Sequence, residues 1–190
     1  AGLGVVGAFV TPVLVQSDKP DFWALYIYIA IVTAAAFGLA RIRMWRWLAV
    51  TTIVFGALWM LFDIVRPHTL GPHAFDIIAS FVLAALLVVA GFMFGPPAEQ
   101  GRVEPVSSVS LSVFLFGAMG LVFANNHADA AMIVFAVLVA ATFVIAWRAE
   151  SAIGAIGASA LFVFAVFAEW AIRANPDLAV VPGGPMAGIG

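Results

Sequence analysis

Between Phe22 and Ala40 the chain carries no charged side chain. An uninterrupted apolar run of about 20 residues is what a helix needs to cross the hydrocarbon of a bilayer. Similar runs extend from Trp47 to Val65, Phe75 to Phe94, Ser108 to Asn125, Asp129 to Trp147 and Ala152 to Ile172. Leu3 to Val15 is apolar but too short, and reads as a truncated span in which Thr11-Pro12 breaks or kinks the helix. Such runs leave few choices. Inside lipid each backbone N–H and C=O must find a partner within the protein, which restricts spanning segments to helices or closed barrels. The pattern predicts an all-α, polytopic transmembrane bundle of about seven spans.

Composition supports the same solvent. The chain is 65% hydrophobic and 9% charged, with a mean hydropathy of +1.14, whereas soluble domains carry about 25% charged residues. The net charge of −2 and the lack of any basic tract exclude a nucleic-acid partner; the partner expected is the lipid bilayer. There is no cysteine, so disulfides, thiolate metal sites and cysteine nucleophiles are excluded. Phosphate-binding loops, GxGxxG after a strand, HExxH and nucleophile elbows are also missing. No cofactor and no metal is expected, and no soluble-enzyme chemistry is indicated.

Orientation rests on Arg41-Ile-Arg-Met-Trp-Arg-Trp47, where three of the eight basic residues sit between two apolar runs. Basic residues flanking a span stay in the cytoplasm, and Trp settles at the headgroup level. Arg41, Arg43, Trp45, Arg46 and Trp47, with Arg148, are therefore the topology anchors of a multi-pass protein in a bacterial inner membrane. On this orientation Arg41, Arg43, Arg46, Arg102 and Arg148 lie inside, against Lys19, Arg66 and Arg173 outside. The outer side is acidic and holds all three histidines. Trp23, Tyr26, Tyr28, Trp59 and Trp170 form its aromatic belt.

The polar stretch Gly95–Pro105 divides the chain. Residues 1–95 read as a first transmembrane unit of four spans, 96–107 as a cytoplasmic connector and 108–175 as a second unit. Residues 176–190 read as a Gly/Pro-rich tail leading toward further sequence, so the whole resembles a piece of a longer polytopic chain. At an offset near 106, Ala34–Phe37 and Arg41 align with Ala140–Phe143 and Arg148, and Asp63 aligns with Glu169. This suggests a four-helix parallel repeat, as found in some transporters.

The first third resembles a known family. Gly4-Val-Val-Gly-Ala-Phe-Val-Thr-Pro-Val-Leu-Val15 is similar to its Gly-rich helix ending in Thr-Pro-Leu-Leu. Trp23-Ala-Leu-Tyr-Ile-Tyr28, followed by the Arg/Trp stretch, is similar to its next hairpin. The family is the bacterial "predicted membrane protein" group, domain of unknown function 2339, and the match is best over residues 1–65. The resemblance implies a long array of spans and no assigned activity.

Candidate chemistry lies at the outer end. Trp59, Asp63 and Arg66 share one helix face, and Glu169 and Arg173 are one turn apart. These side chains can line an outward polar cavity or form interfacial ion pairs that anchor helix ends. Asp76 reads as a cap at a helix start, with His73 three residues before it. Asn125-Asn-His127 with Asp129 reads as a hydrated turn that can complete a cluster with Asp63 and Glu169. The candidate polar cluster is therefore Asp63, Arg66, Glu169, Arg173, Asp76, Asp129, His73 and His127. Small-residue faces at Ala34/Gly38 and at Gly154, Ala155, Ala158 and Ser159 are expected to pack within the bundle; helix partners in a longer chain or a homo-oligomer are the alternative. The functional expectation is a transport or envelope-related component with an acidic vestibule. The alternatives are an outer-leaflet enzyme acting on a lipid-linked or glycan substrate, and a structural scaffold.

Overall fold

The computed structural model describes residues 2–14, 21–43, 45–64, 70–89 and 105–174. They form seven α-helices: α1 (Gly2–Leu14), α2 (Phe22–Arg43), α3 (Arg46–Ile64), α4 (Leu70–Val89), α5 (Pro105–Ala124), α6 (Asp129–Arg148) and α7 (Gly154–Ala174). A single 3₁₀ turn, Glu150–Ala152, precedes the last helix. No strand occurs among the described residues. Five of the helices, α2, α4, α5, α6 and α7, are long and apolar enough to cross a bilayer. In α3 the apolar stretch is shorter, Trp47–Met60, and α1 has only 13 residues. The expected seven spans are thus seven helices, of which five qualify by length and composition alone.

Consecutive helices run antiparallel, and the described connections from α5 to α6 and from α6 to α7 are short. Between α2 and α3 the chain turns within two residues, and the N–H of Trp45 closes the end of α2 on the Ala40 carbonyl at 3.0 Å. Arg43 therefore belongs to α2 and Arg46 to α3, so the expected tight turn is shared by the two helix ends. Met60, close to the end of α3, abuts Gly117 in the last third of α5. The starts of α4 and α6 and the ends of α3, α5 and α7 thus share one end of the bundle, called the histidine end below. The Arg41–Trp47 hairpin and the α6–α7 connection mark the opposite, basic end.

Helix α5 is the axis of the packing, touching α3, α4, α6 and α7. Of its apolar stretch 61% is buried, against 17% for α7. Its sequence suits that place. Gly117, Ala118 and Gly120 let neighbours approach, and Leu111, Phe114, Leu115 and Val122 fill the core. Ser110 and Ser112 donate back to the carbonyls of Ser107 and Ser108, at 2.8 and 2.7 Å, so their hydroxyls are satisfied without water. A second, smaller core joins Phe9 of α1 to Tyr26 and Ile29 of α2, with Phe55 and Trp59 of α3 against it. The outward faces are apolar: Ile31, Val144, Leu161 and Phe164 are all well exposed, as expected where hydrocarbon is the solvent.

Four local expectations change. First, α1 continues through Pro12 to Leu14. Pro12 has no N–H to give the Ala8 carbonyl, and Tyr28 of α2 donates its hydroxyl to that oxygen at 3.3 Å. Thr11 donates to the Gly7 carbonyl at 2.7 Å. Second, α4 begins at Leu70, because Pro72 falls in the first turn, where a missing N–H costs nothing. Asp76 therefore lies in the second turn and does not cap the helix. Third, Tyr26 is fully buried and so is not part of the aromatic belt, while Trp59 is half-buried and Trp23, Tyr28 and Trp170 are exposed. Fourth, Ala34 and Gly38 face out of the bundle, while Ala155 and Ser159 are buried in it.

Candidate functional site

The turn between α5 and α6 is built by an unusual backbone. Asn126 and His127 both have positive φ, 51° and 61°. Asparagine tolerates this conformation where a helix ends, and here the His127 N–H closes α5 on the Val122 carbonyl at 2.9 Å. A second consecutive left-handed residue is costly for a side chain as large as His. Contacts from α7 hold it. His127 Nε2 lies 2.8 Å from Glu169 Oε2, a close polar contact whose alignment is not that of a hydrogen bond. The other Glu169 oxygen is paired with Arg173, and Arg173 Nη1 donates to Asn126 Oδ1 at 2.9 Å. Asn126, His127, Glu169 and Arg173 thus close a ring of polar contacts across two chain segments. The His127 side chain is 8% exposed, with Phe123 beside its ring at 5.9 Å; Glu169 and Arg173 are more open.

A second polar group sits between α2 and α4. Tyr26 Oη and His73 Nε2 are 3.0 Å apart, with the rings edge-on at 5.2 Å and Phe22 next to the imidazole at 6.2 Å. His73 is 7% and Asp76 6% exposed. The two lie one helical turn apart, on the same side of α4. The helical start of α4 at Leu70 places both on one side of the helix, turned inward.

The structure therefore divides the expected cluster. Glu169, Arg173 and His127 come together, and His73 and Asp76 form a separate buried group. Asp129 is exposed at the first position of α6, where its charge meets the helix dipole. Asp63 lies in the last turn of α3, but its side chain is outside the described residues, as is Arg66. Among the anchors, Arg43 and Arg148 are exposed at the basic end, and Trp45 stacks on Trp47 at 5.8 Å. The side chains of Arg41 and Arg46 lie outside the described residues. One participant escapes a reading by spacing: Tyr26 is hidden among the other aromatics at the start of its span. The signal for Tyr26 is its position on α2, three residues before buried Ile29 and seven before buried Thr33.

An apolar groove of about 460 Å³ also opens between α2 and α4, walled by Ile31, Phe75 and Leu83 over a floor that includes Ala30, Ala34 and Ala79. It presents no polar group that could do chemistry. Among the described residues no three His, Asp or Glu side chains converge as metal ligands.

Comparison with curated proteins returned no match, and comparison with solved structures returned none either. The family model described as "Predicted membrane protein (DUF2339)" matches residues 1–187. The resemblance read from the first third therefore extends over nearly the whole chain, including α5 to α7 and the polar ring on them. A helical bundle with five long apolar spans and ionisable groups gathered at one end is thus a member of the DUF2339 family of membrane proteins.

Proposed function

We infer that this chain is part of a transport or export-related component of a bacterial inner membrane. Its Arg41–Trp47 hairpin faces the cytoplasm, and its histidine end opens outward as a polar, acidic vestibule. The observation that carries the reading is the placement of ionisable side chains inside an otherwise apolar bundle. An Asp at a helix centre costs roughly 2.5–3.5 kcal/mol on insertion scales. Asp76 sits in the second turn of α4, and helix capping does not account for it. Ionisable residues facing a bundle interior characteristically line solute and ion pathways. The polar ring at Asn126, His127, Glu169 and Arg173 lies at the same end, where a solute entering from water would meet it first.

The test is flux. Proteoliposomes carrying the protein are compared with empty ones for uptake of a panel of small charged and zwitterionic solutes. Glu169→Gln is expected to abolish the flux without loss of insertion or folding. Full flux in Glu169→Gln and His127→Gln, with only a lower melting temperature, would remove the vestibule reading in favour of a scaffold.

A further inference from the structure

We propose that Tyr26, His73 and Asp76 form a proton-binding site inside the bundle, and that H⁺ is the ion coupled to transport. The second clause rests on the transport reading; the first does not.

The chemistry follows from the contact. A tyrosine hydroxyl can donate or accept, and a neutral imidazole nitrogen can accept while a protonated one donates. In the neutral tautomer that carries its hydrogen on Nδ1, Tyr26 donates to Nε2 across the 3.0 Å contact. When a proton from water adds to the Nε2 lone pair, the new N–H donates to the phenolic oxygen and the hydroxyl hydrogen rotates away. The proton comes from a hydronium ion, whose O–H bond breaks as the N–H bond forms, leaving water; no bond within the protein breaks, and its heavy atoms need not move. The same pair of atoms thus serves both charge states, which an aliphatic or purely donating neighbour could not do.

A positive imidazolium in a dry interior needs a compensating charge. Asp76 supplies it from one turn further along α4, buried to the same degree. The remaining neighbours leave that role to it. Helix α2 brings Tyr26, while Tyr28 is turned away to α1. Helix α5 has no titratable side chain along its length. Helix α6 has only Asp129, exposed at its start, and Arg148 at the far end. Helix α3 carries Asp63 in its last turn. Access is also provided: His73 lies in the first turn of α4, close to water at the histidine end, and Phe22 flanks its ring.

The site links two helices whose contact it controls. Tyr26 belongs to α2 and His73 to α4, and these two pack closely along the small second core. Changing the charge at Nε2 changes the hydrogen bond between them from one direction to the other. That is the local event a proton-coupled transporter needs to bias one packing over another.

The experiment uses the whole chain in nanodiscs, with ¹⁵N-labelled histidine and resonances assigned through His68→Gln and His127→Gln. The His73 ring is expected to change protonation state once between about pH 5 and 8, the range in which histidine switches. Its midpoint should move by about one pH unit or more in Asp76→Asn, as loss of a nearby opposite charge requires. Tyr26→Phe should change the Nε2 shift at fixed pH. A His73 ring held in one state throughout, or a midpoint unmoved by Asp76→Asn, overturns the site. The wild-type titration stands even where a variant fails to fold. Uptake under an imposed pH gradient is read in parallel. Titration of His73 without any solute flux keeps the proton site and rejects transport. Flux that ignores the gradient, with a silent His73, rejects the proton site and keeps transport.

Discussion

Asn126 and His127 show how much a single backbone angle can decide. Both occupy the left-handed region, which costs a residue with a side chain roughly 1–2 kcal/mol, and Asn less than most. Replacing Asn126 by Gly or by Ala removes the same hydrogen bond from Arg173. The two variants therefore differ only in backbone cost. Thermal unfolding in detergent should place Asn126→Ala about 1 kcal/mol below Asn126→Gly. Equal stabilities would mean that the turn relaxes to another conformation. A similar argument applies to Tyr28. Its hydroxyl serves the Ala8 carbonyl that Pro12 leaves without a helical donor. Tyr28→Phe should cost about 1 kcal/mol. In a Pro12→Ala background, where the backbone N–H is restored, the same change should cost much less. A double-mutant cycle with no coupling would refute the substitution of one donor for the other.

At the scale of elements, α5 is set apart by what its neighbours require of it. A Cβ built on Gly117 would sit 1.9 Å from the Met60 sulfur, so the Met60 thioether of α3 fills the space that a side chain at 117 would take and must shift if one is added. Gly117→Ala should destabilise by about 1–3 kcal/mol, the usual cost of overpacking. Met60→Ala should cost about 2–5 kcal/mol through its cavity. Combined, the two should cost clearly less than their sum, since the new methyl fills space that the thioether vacates. Strict additivity would place the two groups out of contact. The small-residue faces obey the same logic with opposite outcomes. Ala155 and Ser159 are buried in the bundle, where small side chains allow close approach. Gly38 has open space beside it and Ala34 is exposed on the floor of the groove between α2 and α4, so this face can take lipid or another helix.

For the whole molecule the open matter is which end faces which compartment, and the lack of cysteine makes it directly measurable. Arg43 and Ala128 are exposed at opposite ends of the bundle. In intact cells a membrane-impermeant thiol reagent should label Ala128→Cys and spare Arg43→Cys. The reverse pattern would turn the acidic end toward the cytoplasm. Ser107 is unsuitable as a reporter because it is almost fully buried.

Hydrocarbon as solvent, the helical class and the family are legible in the linear chain, because each rests on local composition. A charge-free run of the right length fixes its own hydrogen bonding whatever surrounds it. The pairing of Glu169 with Arg173 is legible for the same reason, since four residues on one helix always meet. What packs against what is decided at longer range. The helical spacing of Tyr26 to Ile29 and Thr33 becomes a signal only once those two are known to be buried, and only the approach of α4 turns Tyr26 from an interface residue into the partner of His73. Glu169 lies 42 positions from His127 in sequence, and the grouping of the two at one end is legible but their contact is not. Only the folding of α7 against α5 closes that ring. Periodicity reports which solvent a helix meets, and in a membrane that solvent and the protein interior are equally apolar. The hydrophobic pattern that separates inside from outside in a water-soluble protein is therefore too weak here to say which face turns inward, and tertiary packing had to choose it.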